Sequence, residues 1–157
     1  MITFAIERFS DVYGELKPLL EEHYAEISTH KDHGVPLDPQ VSTYEAREAD
    51  GSLLMAIGRE SGEITSYFIC FIAPALHYAS CLTCSPDIFY VEPTARGMAI
   101  GSDMFDFVEA ELRRRGVMRW AAGYKVQFSL AARALFKKKG FEPVEVIEEK
   151  WLGEKSW

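Results

Sequence analysis

The sequence lacks an apolar run long enough to cross a membrane. Its longest run, 67–76, contains Pro74 and falls well short of the roughly 18 apolar residues that a membrane-spanning helix needs. The first residues also lack the charged start and the long apolar core of a signal peptide. These two absences predict a cytoplasmic protein that does not bind a membrane.

Cysteine is scarce, and its odd number excludes a complete disulfide framework. Cys81 and Cys84 have the C-x-x-C spacing of a zinc or redox site. Zinc would need two more ligands, and no second pair of cysteines or histidines lies nearby in the sequence. In a strand, residues three positions apart point to opposite faces. We therefore interpret these residues as small buried thiols and predict no metal.

Basic residues are fewer than acidic ones, with 17 Lys and Arg against 24 Asp and Glu and a net charge of −7. This balance argues against binding nucleic acid over a broad surface. It would raise the local concentration of a cationic substrate such as an amine. The composition is otherwise that of a globular protein, with 48% apolar and 26% charged residues. A chain of 157 residues is the size of one domain, and we predict a single domain over 1–157.

Hydrophobic periodicity predicts strands and helices around one sheet. Strands are predicted at 4–6, 53–58, 64–73 and 82–91, with a helix capped by Ser10 and kinked or split at Pro18. A loop is predicted over 29–40 and a short helix over 44–48. The second half alternates a helix from Gly101 to Gly116, a strand at 117–124, a helix from Ser129 to Gly140, and closing strands at 141–146 and 148–152. This order predicts an α/β (α+β) fold with a mixed, mostly antiparallel central sheet of 6–7 strands and about four flanking helices.

The turn between the strand ending at Val91 and the helix from Gly101 has the features of a phosphate-binding site. The first amides of a helix have no partner inside the helix, and the helix dipole adds partial positive charge there. Gly97, Ala99 and Gly101 keep the turn small, so that an anion can approach the backbone, and Arg96 adds a permanent cation. The alternative is a tight strand-to-helix connection that binds no ligand.

The spacing of Arg96, Ala99 and Gly101 resembles the cofactor signature Q/R-x-x-G-x-G/A of the GNAT superfamily of acyltransferases. Ala99 replaces the usual first glycine of that signature. The order of elements along the chain also fits this family. The segments 36–39 and 76–78 further resemble uncharacterised GNAT proteins of bacteriophages.

A second resemblance to the same family lies over 129–141, where the family has N-x-x-A-x-x-x-Y-x-x-x-G-F. Ala132, Gly140 and Phe141 match this pattern. Ser129 stands where Asn is usual, and Phe136 stands where Tyr is usual. The two segments occur in the order that the family has.

The resemblance implies an enzyme that transfers an acetyl group from acetyl-CoA to a primary amine. The acceptor classes are a small amine, a polyamine, an amino acid, and a protein lysine or N-terminus. The family holds the pantetheine arm on the strand before the turn, the pyrophosphate on the turn, and the distal coenzyme near the later helix. The residues implied are Phe89, Tyr90, Val91, Arg96, Gly97, Met98, Ala99, Ile100, Gly101, Ser102, Ser129 and Arg133. Dimers are frequent in this fold, which leaves a homodimer open.

The attacking amine must lose a proton, because an alkylammonium group has a pKa of about 10.4. Asp87 lies on the strand before the turn, where families of this fold often have a carboxylate, and is the first candidate base. The alternative interpretation is an aspartate at the start of the strand that is exposed to solvent and has no catalytic role. His77 is the rival base, because an ordinary histidine pKa near 6.5 suits proton transfer, although such a histidine is often structural.

The leaving thiolate usually receives a proton from a tyrosine in this family, and Phe136 has none to give. Tyr124 is the catalytic candidate in its place, with Ser129 and water as alternatives; its other reading is packing at the rim of the core. The departure at Phe136 also leaves open a weak or inactive GNAT module that binds acyl-CoA or a partner protein.

Overall fold

The computed structural model describes residues 1–97 and 99–153. Within these residues, five strands form one sheet in the order β1-β2-β3-β4-β5. Their bounds are β1 Ile2–Ile6, β2 Leu53–Glu60, β3 Glu63–Ala75, β4 Tyr78–Val91 and β5 Arg119–Trp120. β1 to β4 pair antiparallel, whereas β4 and β5 pair in parallel. The predicted mixed, mostly antiparallel sheet is confirmed, but the prediction of 6–7 strands is wrong for the described chain.

The same residues form four α-helices, as predicted. They are α1 Phe9–Ile27, α2 Val41–Ala49, α3 Ile100–Arg114 and α4 Ser129–Lys138. α1 runs through Pro18 without ending, so the predicted split is wrong. Ser10 is not the N-cap of α1, because the helix begins at Phe9. The Ser10 hydroxyl instead donates a 2.8 Å hydrogen bond to Oε2 of Glu48 and so joins α1 to α2.

The sheet separates two apolar clusters, one on each face. Successive side chains of a strand point to opposite faces, so Tyr67 and Ile69 of β3 face α1, whereas Phe68 and Cys70 face α3. The middle of β3 is buried throughout because helices cover both faces. The edge of the sheet near the end of β4 therefore lies between two helical layers, and the candidate site lies at this edge.

No strand follows α4 within 139–153, so the two predicted closing strands are wrong. A strand needs a neighbouring edge, and β5, predicted over 117–124, has only two residues. Val144, Val146 and Ile147 are 80%, 86% and 86% exposed. The segment is held instead by rings: Phe141 packs against Phe136, with 5.1 Å between the ring centres.

The predicted ends of α3 and α4 are confirmed. Gly116 and Gly140 follow the ends of α3 and α4 and have φ values of 77° and 78°, which suit glycine. Cys70 and Cys84 are buried free thiols, whereas Cys81 is half-buried. No helix of the described residues has the length and apolar character needed to cross a membrane. Across 1–97 and 99–153, no three His, Cys, Asp or Glu side chains gather as metal ligands would.

Candidate active site

A cleft opens where β4 and β5 separate. The two strands pair only at Thr83 with Arg119 and at Cys84 with Trp120. β4 then continues to Val91, and in the part of the chain that the structure describes these later residues pair with β3 alone. The outer backbone edge of β4 is thus not used by β5. The cleft has a volume of about 40 Å³ and is lined by Phe68, Ile69, Pro86, Asp87, Ile88, Phe89, Phe105, Ala122, Gly123 and Phe136.

Asp87 is the extra residue of a β-bulge in β4. Pro86 pairs with Cys70 and Ile88 pairs with the preceding residue, Ile69, so Asp87 has no partner in the register. A bulge bends the strand and changes the direction of its side chain. Burial raises the pKa of the Asp87 carboxyl above its usual value of 3.8, and a hydrogen bond from Tyr44 opposes this rise. The bulge therefore places a half-buried carboxyl in the wall of the cleft.

A larger groove, of about 240 Å³, lies on the side of the sheet that α1 and α2 cover. Tyr44 lines this groove, and its hydroxyl donates a 2.6 Å hydrogen bond to Oδ2 of Asp87. Ile69 and Ile88 line both the groove and the cleft. The two spaces are therefore neighbours, and Asp87 lies where they meet.

The turn after β4 leads directly into α3. A short 3-10 helix, Pro93–Ala95, is followed by Gly97 with a φ of 86°, a left-handed conformation that favours glycine. Ala99 is the N-cap of α3 and, within the described residues, makes no side-chain capping bond. The first amides of α3 thus keep their donors for an anion. Met98 lies outside the described residues.

Arg96 joins this turn to α1. Its two terminal nitrogens each lie 2.6 Å from a carboxylate oxygen of Glu26, and its Nε donates a 2.8 Å bond to the carbonyl of Val91. The guanidinium carbon also lies 5.4 Å from the centre of the Tyr90 ring. The guanidinium therefore faces Glu26, and not the first turn of α3.

α4 packs beside the start of α3. A Cβ added at Gly101 would lie 3.6 Å from Cζ of Phe89 and 3.8 Å from Cδ2 of Leu135. Nζ of Lys138 lies 3.4 Å from Oγ of Ser102. Arg133 is exposed on α4. The structure thus brings the two segments that resemble the GNAT signatures together at one edge of the sheet.

A family model decides the identity. Residues 16–141 match the model described as the Acetyltransferase (GNAT) family. The chain belongs to the GNAT family. It is accordingly a GNAT-type acyltransferase. No curated protein matches the sequence.

Solved structures of other GNAT proteins share the fold. A ribosomal-protein-alanine N-acetyltransferase from Brucella melitensis biovar Abortus 2308 is 16% identical, with a TM-score of 0.71 over 98% of this chain and 100% of that one. A predicted acetyltransferase from Clostridium acetobutylicum, solved with acetyl-CoA, is 18% identical, with a TM-score of 0.69 over 97% of both chains. Glucosamine-6-phosphate N-acetyltransferase from Arabidopsis thaliana is 14% identical, with a TM-score of 0.71 over 98% and 99%. At these identities the likeness shows the fold.

The other two catalytic candidates of this GNAT protein lie in different places. Tyr124 is 41% exposed. Its ring lies edge-on to the ring of Phe136, with 5.3 Å between the ring centres, and Phe136 lines the cleft. His77 is exposed in the turn between β3 and β4. Asp87 lies ten residues further along the chain, which is roughly 30 Å at the rise of a strand. The structure therefore brings Tyr124 to the cleft that Asp87 lines, but not His77.

Sequence reasoning missed a buried polar pair between α1 and β3. Nδ1 of His23 lies 2.7 Å from the hydroxyl of Tyr67, and its ring stacks on Tyr90 with 4.8 Å between centres. Burial lowers the pKa of His23 from 6.5 to about 4. The signal was present, because His23 continues the helical spacing of Leu16 and Leu20 on the inner face of α1. Tyr90, expected to bind coenzyme, thus turns its side chain towards α1.

Proposed function

We propose that this GNAT protein transfers an acetyl group from acetyl-CoA to a primary amine, with Asp87 as the base. The observation that carries the proposal is the position of Asp87 in a bulge between the cleft and the groove. The names of three structural neighbours also support an amine acceptor. They name a ribosomal-protein alanine, glucosamine-6-phosphate and an aminoglycoside, and each of these acceptors carries an amine. The groove would hold the amine and the cleft the reacting thioester.

The described residues offer contacts for the coenzyme at two places, the outer edge of β4 and the turn that leads into α3. The outer edge of β4 offers backbone groups at Phe89, Tyr90 and Val91 for the pantetheine arm. The turn and the start of α3 offer uncapped amides for the pyrophosphate at Gly97, Ala99, Ile100, Gly101 and Ser102. Contributions from Arg96, Met98, Ser129 and Arg133 stay predictions; the structure describes Ser129 only as the first residue of α4.

Acetyl-CoA supplies an activated acetyl thioester, so the protein needs chiefly to position the amine and move protons. Asp87 takes a proton from the ammonium group of the acceptor. The amine nitrogen then forms a bond to the acetyl carbon as the carbon–sulfur bond breaks, and the nitrogen releases a second proton to water to give the amide. Phe136 cannot protonate the departing thiolate, so we assign that step to Tyr124 or to water.

A thiol-release assay on a panel of primary amines tests this proposal. Losing a general base typically costs about 100-fold or more in rate, so we expect Asp87→Asn to lower kcat/KM by that factor. His77→Ala should leave kcat/KM within about twofold of the parent. Calorimetric titration with acetyl-CoA should give unchanged affinity for both variants. Turnover that survives Asp87→Asn but not His77→Ala would make His77 the base.

The second candidate function is a GNAT module that binds acyl-CoA or a partner protein without efficient catalysis. Phe136 favours it, because this ring lines the cleft where the family has a proton donor. Binding of acetyl-CoA without turnover on the whole amine panel would select this function. A gain of turnover in Phe136→Tyr would show that the missing hydroxyl is the cause.

The remaining expectations stay predictions. They are a cytoplasmic location, a likeness to bacteriophage GNAT proteins, no binding of nucleic acid, and a single domain over 1–157. A homodimer is left open, and sedimentation of the full chain would determine the oligomeric state.

A further inference from the structure

The groove of about 240 Å³ is apolar along most of its wall. Its lining residues are Phe9, Leu20, Tyr24, Ser28, His30, Val35, Pro36, Leu37, Asp38, Pro39, Tyr44, Ile69 and Ile88. Sites for drug-sized ligands measure about 300–1,000 Å³, so this groove suits a smaller molecule. Its chemistry favours a ligand with an apolar body over one with polar groups on every side.

The outer wall of the groove is a loop that is fixed at several points. Val35, Pro36, Leu37 and Pro39 supply its apolar surface. The hydroxyl of Tyr24 donates a hydrogen bond to the carbonyl of Val35. The backbone of Val35 also donates a 3.1 Å bond to the carbonyl of residue 30. The apolar wall is therefore part of the folded structure, and its shape is set before a ligand binds.

The loop is also supported from the C-terminal segment. The ring of His33 stacks on Trp151, with 4.3 Å between centres and 5° between planes. Stacked rings of this kind stabilise a contact beyond the apolar area that they bury. The segment 141–153, which forms no strand, thus packs against the loop that walls the groove.

The charges of the groove limit its ligand further. Asp38 is the one carboxylate among the described lining residues, and it is exposed at the rim. A polycation would need several carboxylates, and a sugar phosphate is bound most strongly by Arg or Lys, whereas the basic residue in this lining is His30. No Lys or Arg occurs among those lining residues. A single carboxylate at the rim gives a polycation little to bind, so the groove favours a ligand whose one positive charge is the reacting amine itself.

The inner end of the groove leads to the candidate base. Tyr44 lines the groove and binds Asp87, while Ile69 and Ile88 line both spaces. An apolar body in the groove would therefore place its polar end beside Asp87. The nitrogen of such a ligand would then lie beside the bulge in β4.

We propose that the acceptor is a small primary amine with one positive charge on an apolar body, of the size of one ring or a short branched chain. This inference rests on the proposed acetyl transfer and specifies its acceptor. Polyamines, amino-sugar phosphates and aminoglycosides are acceptors that the groove disfavours.

The test compares phenethylamine and isopentylamine with spermidine, glucosamine-6-phosphate and sisomicin in the thiol-release assay. We expect kcat/KM at least tenfold higher for the two apolar amines. Leu37→Asn removes apolar surface from the groove and should raise KM for phenethylamine about tenfold with little change in kcat. The matched control is Leu76→Asn, because Leu76 is 100% exposed in the turn between β3 and β4. This control should leave KM unchanged.

The two proposals fail in different ways. A higher kcat/KM for spermidine or for an amino sugar, or no effect of Leu37→Asn, overturns the apolar acceptor and leaves acetyl transfer intact. Absence of turnover with every amine, while acetyl-CoA binds, overturns the transfer. In that case calorimetry with phenethylamine tests whether the groove binds an apolar amine. Binding that is weakened by Leu37→Asn but not by Leu76→Asn supports the proposed ligand. Absence of binding overturns it.

Discussion

The hydroxyl of Tyr44 donates a 2.6 Å hydrogen bond to Oδ2 of Asp87 and so joins α2 to the bulge in β4. Burial raises the pKa of Tyr44, with Asp87 adding to the rise, so the hydroxyl keeps its proton and acts as the donor. A hydrogen bond to a carboxylate favours the charged form. Burial favours the neutral form more strongly, and the pKa of Asp87 is raised on balance. The hydrogen bond from Tyr44 therefore limits the rise in the pKa of the proposed base.

Tyr44→Phe should shift the pH dependence of turnover in one direction. Loss of the hydrogen bond removes the contribution that lowers the pKa of Asp87. The pKa therefore rises further, and because a base must be deprotonated, the acidic limb of the kcat/KM profile moves to higher pH. The control is Tyr13→Phe, because Tyr13 stacks on Phe9 and does not bind Asp87. If the acidic limb of Tyr44→Phe stays at the same pH, Asp87 is not the group whose ionisation the profile reports.

Gly97→Ala should weaken acetyl-CoA binding through the backbone alone. Gly97 has a φ of 86°, and no atom of the described residues lies within 4 Å of an added Cβ. The strain of a left-handed alanine costs roughly 1 kcal/mol. Gly51 gives a matched control, with a φ of 79° and similar open space in the turn before β2.

Both glycine variants should lose about the same free energy of unfolding in urea titrations. Only Gly97→Ala should also lose affinity for acetyl-CoA, because only this residue belongs to the turn before α3. Equal affinities in the two variants would show that the turn does not hold the coenzyme.

Arg96→Gln and Glu26→Gln should change acetyl-CoA affinity in opposite directions. Arg96 and Glu26 form a two-bond ion pair at 2.6 Å, with side chains 40% and 26% exposed. A pair that is partly open to solvent contributes at most about 1 kcal/mol to folding, so both variants should remain folded. Arg96→Gln removes a cation near the turn, whereas Glu26→Gln removes an anion there.

Titration calorimetry at low and high salt measures this effect. We expect weaker binding for Arg96→Gln, tighter binding for Glu26→Gln, and a smaller difference at high salt because ions screen charges. An unchanged affinity in Arg96→Gln would mean that its role is to tie the turn to α1.

Local rules predicted much of the fold, and the family resemblance supplied the candidate site residues. Gly116 and Gly140 marked the ends of α3 and α4, and the strand, turn and helix around 91–101 followed from spacing alone. Asp87 became a candidate because the resemblance to the GNAT family implies a carboxylate on the strand before the turn. Each of these features is set by residues close together in the sequence.

Features that depend on distant residues were not predictable. Tyr44 and Asp87 are 43 positions apart, and Arg96 and Glu26 are 70 apart. Pro86 indicates a bulge or an edge near the start of β4, but only the register against β3 shows that Asp87 is the extra residue. The prediction of closing strands was wrong for the same reason. The alternation of apolar and polar residues at Val144 and Val146 suits a strand, but pairing requires a free strand edge elsewhere in the fold.

His23 should make folding sensitive to acid. It is 6% exposed, and burial lowers its pKa from 6.5 to about 4, with Glu26 raising it and Arg96 lowering it to smaller extents. The unfolded chain therefore binds a proton between pH 6.5 and 4 that the folded chain does not, so stability is lost as pH falls through this window. The loss attributable to His23 is about 3 kcal/mol at 1.36 kcal/mol for each pKa unit.

The double variant His23→Phe with Tyr67→Phe removes the titrating ring without leaving the Tyr67 hydroxyl buried and unpaired. Its free energy of unfolding, measured in urea at pH 7, 6, 5 and 4, should fall less steeply than that of the parent between pH 6.5 and 4. His77→Gln should follow the parent, because His77 is exposed. If the double variant keeps the full acid dependence, other groups cause it, and His23 is not the residue that links proton binding to the packing of α1 against the sheet.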